Sequence, residues 1–137
     1  MMQGERNQAL SILLLEDEPL ILMDLEFAVE DAGCNPHAAT TVKRALSLLD
    51  EAGSIDVAVL DVTLQHGTTC IPVAEELARR NIPFLLHSGD LNRQNETVRN
   101  LRAKHIPKPA DATMVIREAM ELALCPSVAE NQSMRPA

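Results

Sequence analysis

Apolar residues run almost unbroken from Leu10 to Leu15, the pattern of a parallel strand covered on both faces. After Pro19, Leu22, Leu25, Val29 and Ala32 recur at helical spacing up to Gly33, which predicts a first helix. Cys34 to Ala39 reads as a weak strand, and Pro36 within it suits only a sheet edge. Thr40 or Thr41 can cap a second helix, whose Val42, Ala45, Leu46 and Leu49 form one face before Gly53. Ile55 to Leu60 is a buried third strand ending at Asp61. Past Gly67, Thr68 or Thr69 can cap a third helix that carries Pro72 in its first turn and buries Val73, Ala74 and Leu77. Ile82 to Leu86 is the fourth strand. The polar stretch from Asp90 to Leu101 predicts a marginal fourth helix. A short fifth strand near Ala103 to Ile106 follows, and Ala112, Val115, Ile116, Ala119 and Ala123 predict a long amphipathic fifth helix.

Strand and helix alternate five times, which calls for a parallel sheet with helices on both faces, since crossovers between parallel strands are right-handed. The expected fold is α/β: a flavodoxin-like, doubly wound five-stranded sheet of order 2-1-3-4-5. At 137 residues the chain has room for one such domain, expected over 10–124, with an N-terminal extension at 1–9 and a flexible tail at 125–137. A hydrophobic share of 46% beside 23% charged residues fits a soluble globular protein. No apolar run approaches the roughly 20 residues of a membrane span, and Met1 to Gln8 lacks the pattern of an export signal. A cytoplasmic location is therefore expected. Cys34, Cys70 and Cys125 have no zinc-ligand spacing and read as reduced, partly buried thiols. A net charge of −8 argues against direct nucleic-acid binding, which needs clustered Lys and Arg.

In a doubly wound sheet, ligands bind beyond the carboxyl ends of the strands. Those ends carry Glu16-Asp17-Glu18, Asp61, Ser88-Gly89 and Lys108. Carboxylates gathered this closely repel one another, and a hard divalent cation such as Mg²⁺ relieves the repulsion. Glu16 and Asp17 suit such an ion, directly or through water. Asp61 has the chemistry of a phosphoryl-accepting nucleophile, Lys108 can pair with it at rest and with a phosphoryl oxygen after transfer, and Ser88 can bond the same oxygens. Taken singly, each group could equally cap a helix or pair on the surface.

These residues resemble the receiver domain of bacterial two-component response regulators. The resemblance rests on Leu15-Glu16-Asp17-Glu18-Pro19, Val59-Leu60-Asp61-Val62, His87-Ser88-Gly89 and Pro107-Lys108-Pro109, in the family's order and at similar separations. It implies phosphorylation on Asp61 by a histidine kinase or histidine phosphotransfer protein, with no enzymatic turnover. It also implies a Mg²⁺ site of Glu16, Asp17, Asp61 and the main-chain carbonyl of Thr63, and a cis Lys108–Pro109 bond. Ser88, Gly89 and Lys108 would bind the phosphoryl group and switch. The family commonly has an aromatic residue where this chain has His105, which is either its replacement in switching or a plain surface histidine. The motifs are similar to those of stand-alone receivers of alphaproteobacteria, which act by contact with an output partner or as a phosphate sink. The resemblance leaves the output partner open and admits a homodimer through predicted helix 4, strand 5 and helix 5.

Ile21, Met23 and Phe27 fall partly outside the core stripe of the first helix. A wide buried face is the expected reason, and a docking surface for a kinase or phosphotransfer helix bundle the alternative. Two other classes fit the residues less well. A haloacid dehalogenase-like phosphatase needs a second Asp where Thr63 stands. A phosphorylation-independent binding module would not need Glu16, Asp17, Asp61, Ser88 and Lys108 together.

Overall fold

Parallel pairing of β1 (Ser11–Leu15) with both β2 (Asn35–Ala39) and β3 (Val57–Leu60) builds the centre of the sheet. β4 (Phe84–Ser88) and β5 (Lys104–Pro107) extend it on the far side, giving the order β2-β1-β3-β4-β5. This computed structural model describes residues 9–62, 64–89 and 103–124. The extension up to Gln8, the tail, Thr63 and all of the predicted fourth helix lie outside the described residues, so Ala112–Leu124, predicted as the fifth helix, is labelled α4.

Successive strand residues point to opposite faces, and the two cores follow that alternation. Leu13, Leu15, Ala58, Leu60 and Leu86 pack beneath α2 (Val42–Glu51) and α3 (Ile71–Arg79). Ile12, Leu14, Val57, Val59, Leu85 and Ile106 pack beneath α1 (Pro19–Asp31) and α4. Pro36 sits in β2 at the edge, where a missing N–H costs no inner ladder bond. Gly33, at φ +79°, ends α1 in a conformation that side chains resist.

Local chemistry sets most boundaries. Thr41 caps α2, its hydroxyl accepting from Arg44 N at 3.1 Å. α3 starts later than a threonine cap would place it. Cys70, whose N donates to the Val62 carbonyl at 3.0 Å, is the N-cap without a side-chain cap bond of its own, while Thr69 Oγ1 accepts from Ile71 N at 3.4 Å. β3 begins at Val57, two residues later than expected, because the Asp56 carboxylate instead accepts from Ser11 N at 2.8 Å. β4 is shifted by two residues, taking in His87 and Ser88, since Ser88 O accepts from Lys108 N at 3.1 Å and prolongs the pairing.

The wide buried face expected for α1 is not what forms. Ile21 is half-buried against the core, but Met23 is 42% exposed and Phe27 56% exposed, with Leu20 at 72% beside them. The apolar pattern shows what such residues avoid, whereas burial depends on which neighbours the fold supplies. Cys34 and Cys70 are free, buried thiols as expected, and Cys125 lies outside the described residues. No described helix is long and apolar enough to cross a membrane.

Candidate functional site

The ends of β1 and β3 are held side by side by the main chain. Glu16 N donates to Ala39 O at 3.1 Å and Asp61 N donates to Leu15 O at 2.8 Å, so each acid emerges from the last rung of a parallel ladder. Glu16, Asp17 and Asp61 each bring a carboxylate oxygen into one group lying within 4.8 Å. Glu16 and Asp61 are buried and Asp17 is half-buried. Lys108 follows β5 and reaches the same cluster, its Nζ 3.0 Å from Glu16 Oε1 and 3.4 Å from Asp61 Oδ2. The Lys108–Pro109 bond is cis, as the resemblance implies.

The resting contacts leave this cluster incompletely satisfied. Glu16 Oε2 accepts from Glu18 N at 3.1 Å, but among the described residues buried Oε1 accepts no well-directed hydrogen bond despite the nearby ammonium. The bond from Lys108 Nζ to Asp61 is long at 3.4 Å. Burial first, and then the charge of Glu16, push the Asp61 carboxyl up to about 7, only partly opposed by Lys108. Burial alone would disfavour the Lys108 ammonium, but Glu16 and Asp61 together outweigh it and raise its pKa. A buried acceptor without a partner, in a group of three carboxylates, is the donor set that a hard, oxygen-seeking cation satisfies. Glu16, Asp17 and Asp61 therefore fit Mg²⁺, whereas Thr63, expected to add a carbonyl, lies outside the described residues.

The remaining expected residues surround this centre. Ser88 is buried at the end of β4 and is joined to Lys108 through its carbonyl. Gly89 follows it, and a Cβ there would meet Lys108 Cβ at 3.8 Å, an ordinary contact. His105 lies in β5 on the face opposite Ile106 and is half-buried. Its Nε2 is buried without a partner, and burial lowers its pKa.

Sequence reasoning passed over His87. This imidazole is 4% exposed, and among the described residues neither ring nitrogen has a hydrogen-bond partner. It lines a cavity of about 440 Å³ with Glu18, Ile21, Asp24, Lys108 and Pro109. Burial and, second, the Lys108 charge depress His87 to about 4, so it is neutral at ordinary pH. A polar residue at an inward-facing position of a strand was the available signal.

No protein-family model matches the chain. Over 119 residues it is 30% identical to the phyllosphere-induced regulator PhyR of Methylorubrum extorquens; the match takes in 83% of the chain and 45% of PhyR, so the chain spans about half the length of that curated relative. Its structure is similar to the solution structure of SdrG from Sphingomonas melonis Fr1, with a TM-score of 0.69 and 36% identity, covering 85% of the chain and 97% of SdrG. It is also similar in fold to a response regulator receiver protein from Sinorhizobium medicae WSM419, with a TM-score of 0.73 and 23% identity, covering 88% of the chain and 99% of that protein.

Proposed function

The chain belongs to the response regulator receiver family, and on that premise we propose that it is a phosphoryl-accepting signalling switch with Asp61 as the acceptor. The observation that carries this reading is the shared cleft: Glu16, Asp17 and Asp61 lie within one small group and Lys108 reaches both buried acids. In the transfer, an Asp61 carboxylate oxygen attacks phosphorus of a phosphohistidine. The N–P bond breaks, its electron pair returns to the imidazole, and an acyl phosphate forms. Mg²⁺, when bound by Glu16, Asp17, Asp61 and the Thr63 carbonyl, would keep Asp61 ionised and offset charge on the moving group. Lys108, freed from Asp61, pairs with a phosphoryl oxygen, and the Ser88 hydroxyl donates to another. That pull on Ser88 and Gly89 reshapes the end of β4, with half-buried His105 in the neighbouring strand able to follow.

The donor is a histidine kinase or histidine phosphotransfer protein in the cytoplasm, and the output is a contact with a second protein or the draining of phosphate from the donor. The exposed stripe of Leu20, Met23 and Phe27 on α1 supports docking of a helix bundle, since contiguous apolar surface marks an interface. Phe27→Glu should slow transfer from a phosphorylated donor while leaving the reaction with acetyl phosphate unchanged, and equal losses in both would reject that docking face. The central test is intact mass after incubation with acetyl phosphate and Mg²⁺. The native chain should gain one phosphoryl group and Asp61→Asn none; an adduct surviving in Asp61→Asn would move the acceptor elsewhere.

A further inference from the structure

A neutral imidazole enclosed in protein without a partner for either nitrogen is an uncommon arrangement, because an unsatisfied buried polar atom costs stability. Among the described residues, His87 is such a residue. Its place in the sheet is specific: β3 and β4 pair Leu60 with Leu86, so the next residues along the two strands are Asp61 and His87. On the other side, His87 pairs with Ile106, two residues before Lys108. His87 and Lys108 line the same cavity of about 440 Å³, which leaves the lysine side chain room to move.

Lys108 holds its present partners weakly. One contact, to Glu16 Oε1 at 3.0 Å, is too poorly directed to satisfy that oxygen, and the other, to Asp61, is 3.4 Å long. A dication held by Glu16, Asp17 and Asp61 would compete with Lys108 for the Glu16 and Asp61 carboxylates and would repel its ammonium. Until a phosphoryl oxygen arrives, Lys108 then needs another acceptor. Glu18 and Asp24 also line the cavity, but both residues are largely solvent-exposed, and exposed partners are worth little.

We infer that His87 is a positioning residue: a ring nitrogen of its buried, unpartnered imidazole accepts a hydrogen bond from the Lys108 ammonium in the metal-loaded, unphosphorylated state, keeping the lysine beside the acceptor site. This rests on the Mg²⁺ site proposed above. The Lys108 charge already felt at His87 is consistent with their proximity. An acceptor waiting for Lys108 makes metal entry easier, because the ammonium can leave the carboxylates without being left unpaired.

The test is a Mg²⁺ titration of the unphosphorylated chain, followed by ¹⁵N resonances of the His87 ring and by calorimetry. The unprotonated ring nitrogen should shift toward its hydrogen-bonded position as Mg²⁺ saturates, and Lys108→Met should abolish that shift. His87→Leu, which keeps an apolar wall of similar size, should weaken Mg²⁺ binding by about tenfold, the weight of one hydrogen bond to a charged group. His87→Gln restores an acceptor and should recover most of the affinity, which a merely space-filling role would not predict. Saturable Mg²⁺ binding with an unmoved His87 nitrogen would overturn the inference and leave the metal site standing. No saturable binding in the native chain would overturn the metal site and the inference together.

Discussion

Two clusters of acid and base in this protein use the same chemical groups to opposite ends. On the outer surface of α2 and α3, Glu76 is engaged by Arg79 and Arg80, while Arg80 also reaches Asp50 at 2.7 Å and the Leu49 carbonyl at 2.9 Å. Hydrogen bonds from Arg79 and Arg80 lower the Glu76 pKa, and its carboxylate is content in solvent. At the sheet edge, Asp61 and Glu16 share a single lysine, and burial pushes Asp61 in the other direction, to about 7. A surface network adds charge where water already solvates it. Among the described residues, the buried cluster holds more acidic groups than the one cation reaching it can pair with, which is a condition a ligand can relieve.

The contrast is broken most severely by Lys108→Met. Removing the one cation that, among the described residues, reaches two buried carboxylates should cost about 3 kcal/mol in urea unfolding without Mg²⁺. A cost no larger than that of a surface substitution would mean that solvent already satisfies the cluster.

Next comes pH. Asp61 titrates near 3.8 when unfolded and about 7 in the folded chain, so between these values the folded state holds the extra proton. Stability from this group is therefore present at acidic pH and is lost as pH rises from about 4 to about 7. Thermal melts in EDTA should show this decline, and Asp61→Asn should flatten it. Mg²⁺ should raise the midpoint more at pH 8 than at pH 5, because it binds the ionised carboxylates. An identical Mg²⁺ shift at both pH values would contradict the assignment.

The smallest effect belongs to the surface. Arg44 pairs with Glu51 at 3.3 Å with both side chains more than half exposed, so Arg44→Ala should change unfolding free energy by no more than about 0.5 kcal/mol. High salt should reduce even that difference. A larger, salt-insensitive loss would place part of the surface network in the same class as the buried cluster.

Much of the architecture was legible because the two periodicities of strand and helix are written directly in residue order. The five apolar strand segments, the Thr41 cap, the edge position marked by Pro36 and the acids after β1 and β3 all depend on neighbours only a few residues away. Boundaries were less legible where a distant group decides them. Ser11 N takes the Asp56 side chain, and Lys108 N carries β4 on to Ser88, contacts that span 45 residues in the first case.

The chain's order of residues determined the alternation of elements and the set of reactive groups at the strand ends, since both follow from local pattern and the topology of a parallel sheet. Only the tertiary structure decided that Met23 and Phe27 stay exposed, that Glu16 Oε1 lacks a well-directed hydrogen bond, and that His87 is sealed beside Lys108 without a partner. Burial and hydrogen-bond satisfaction are properties of what surrounds a group, and those surroundings come from segments far apart along the chain.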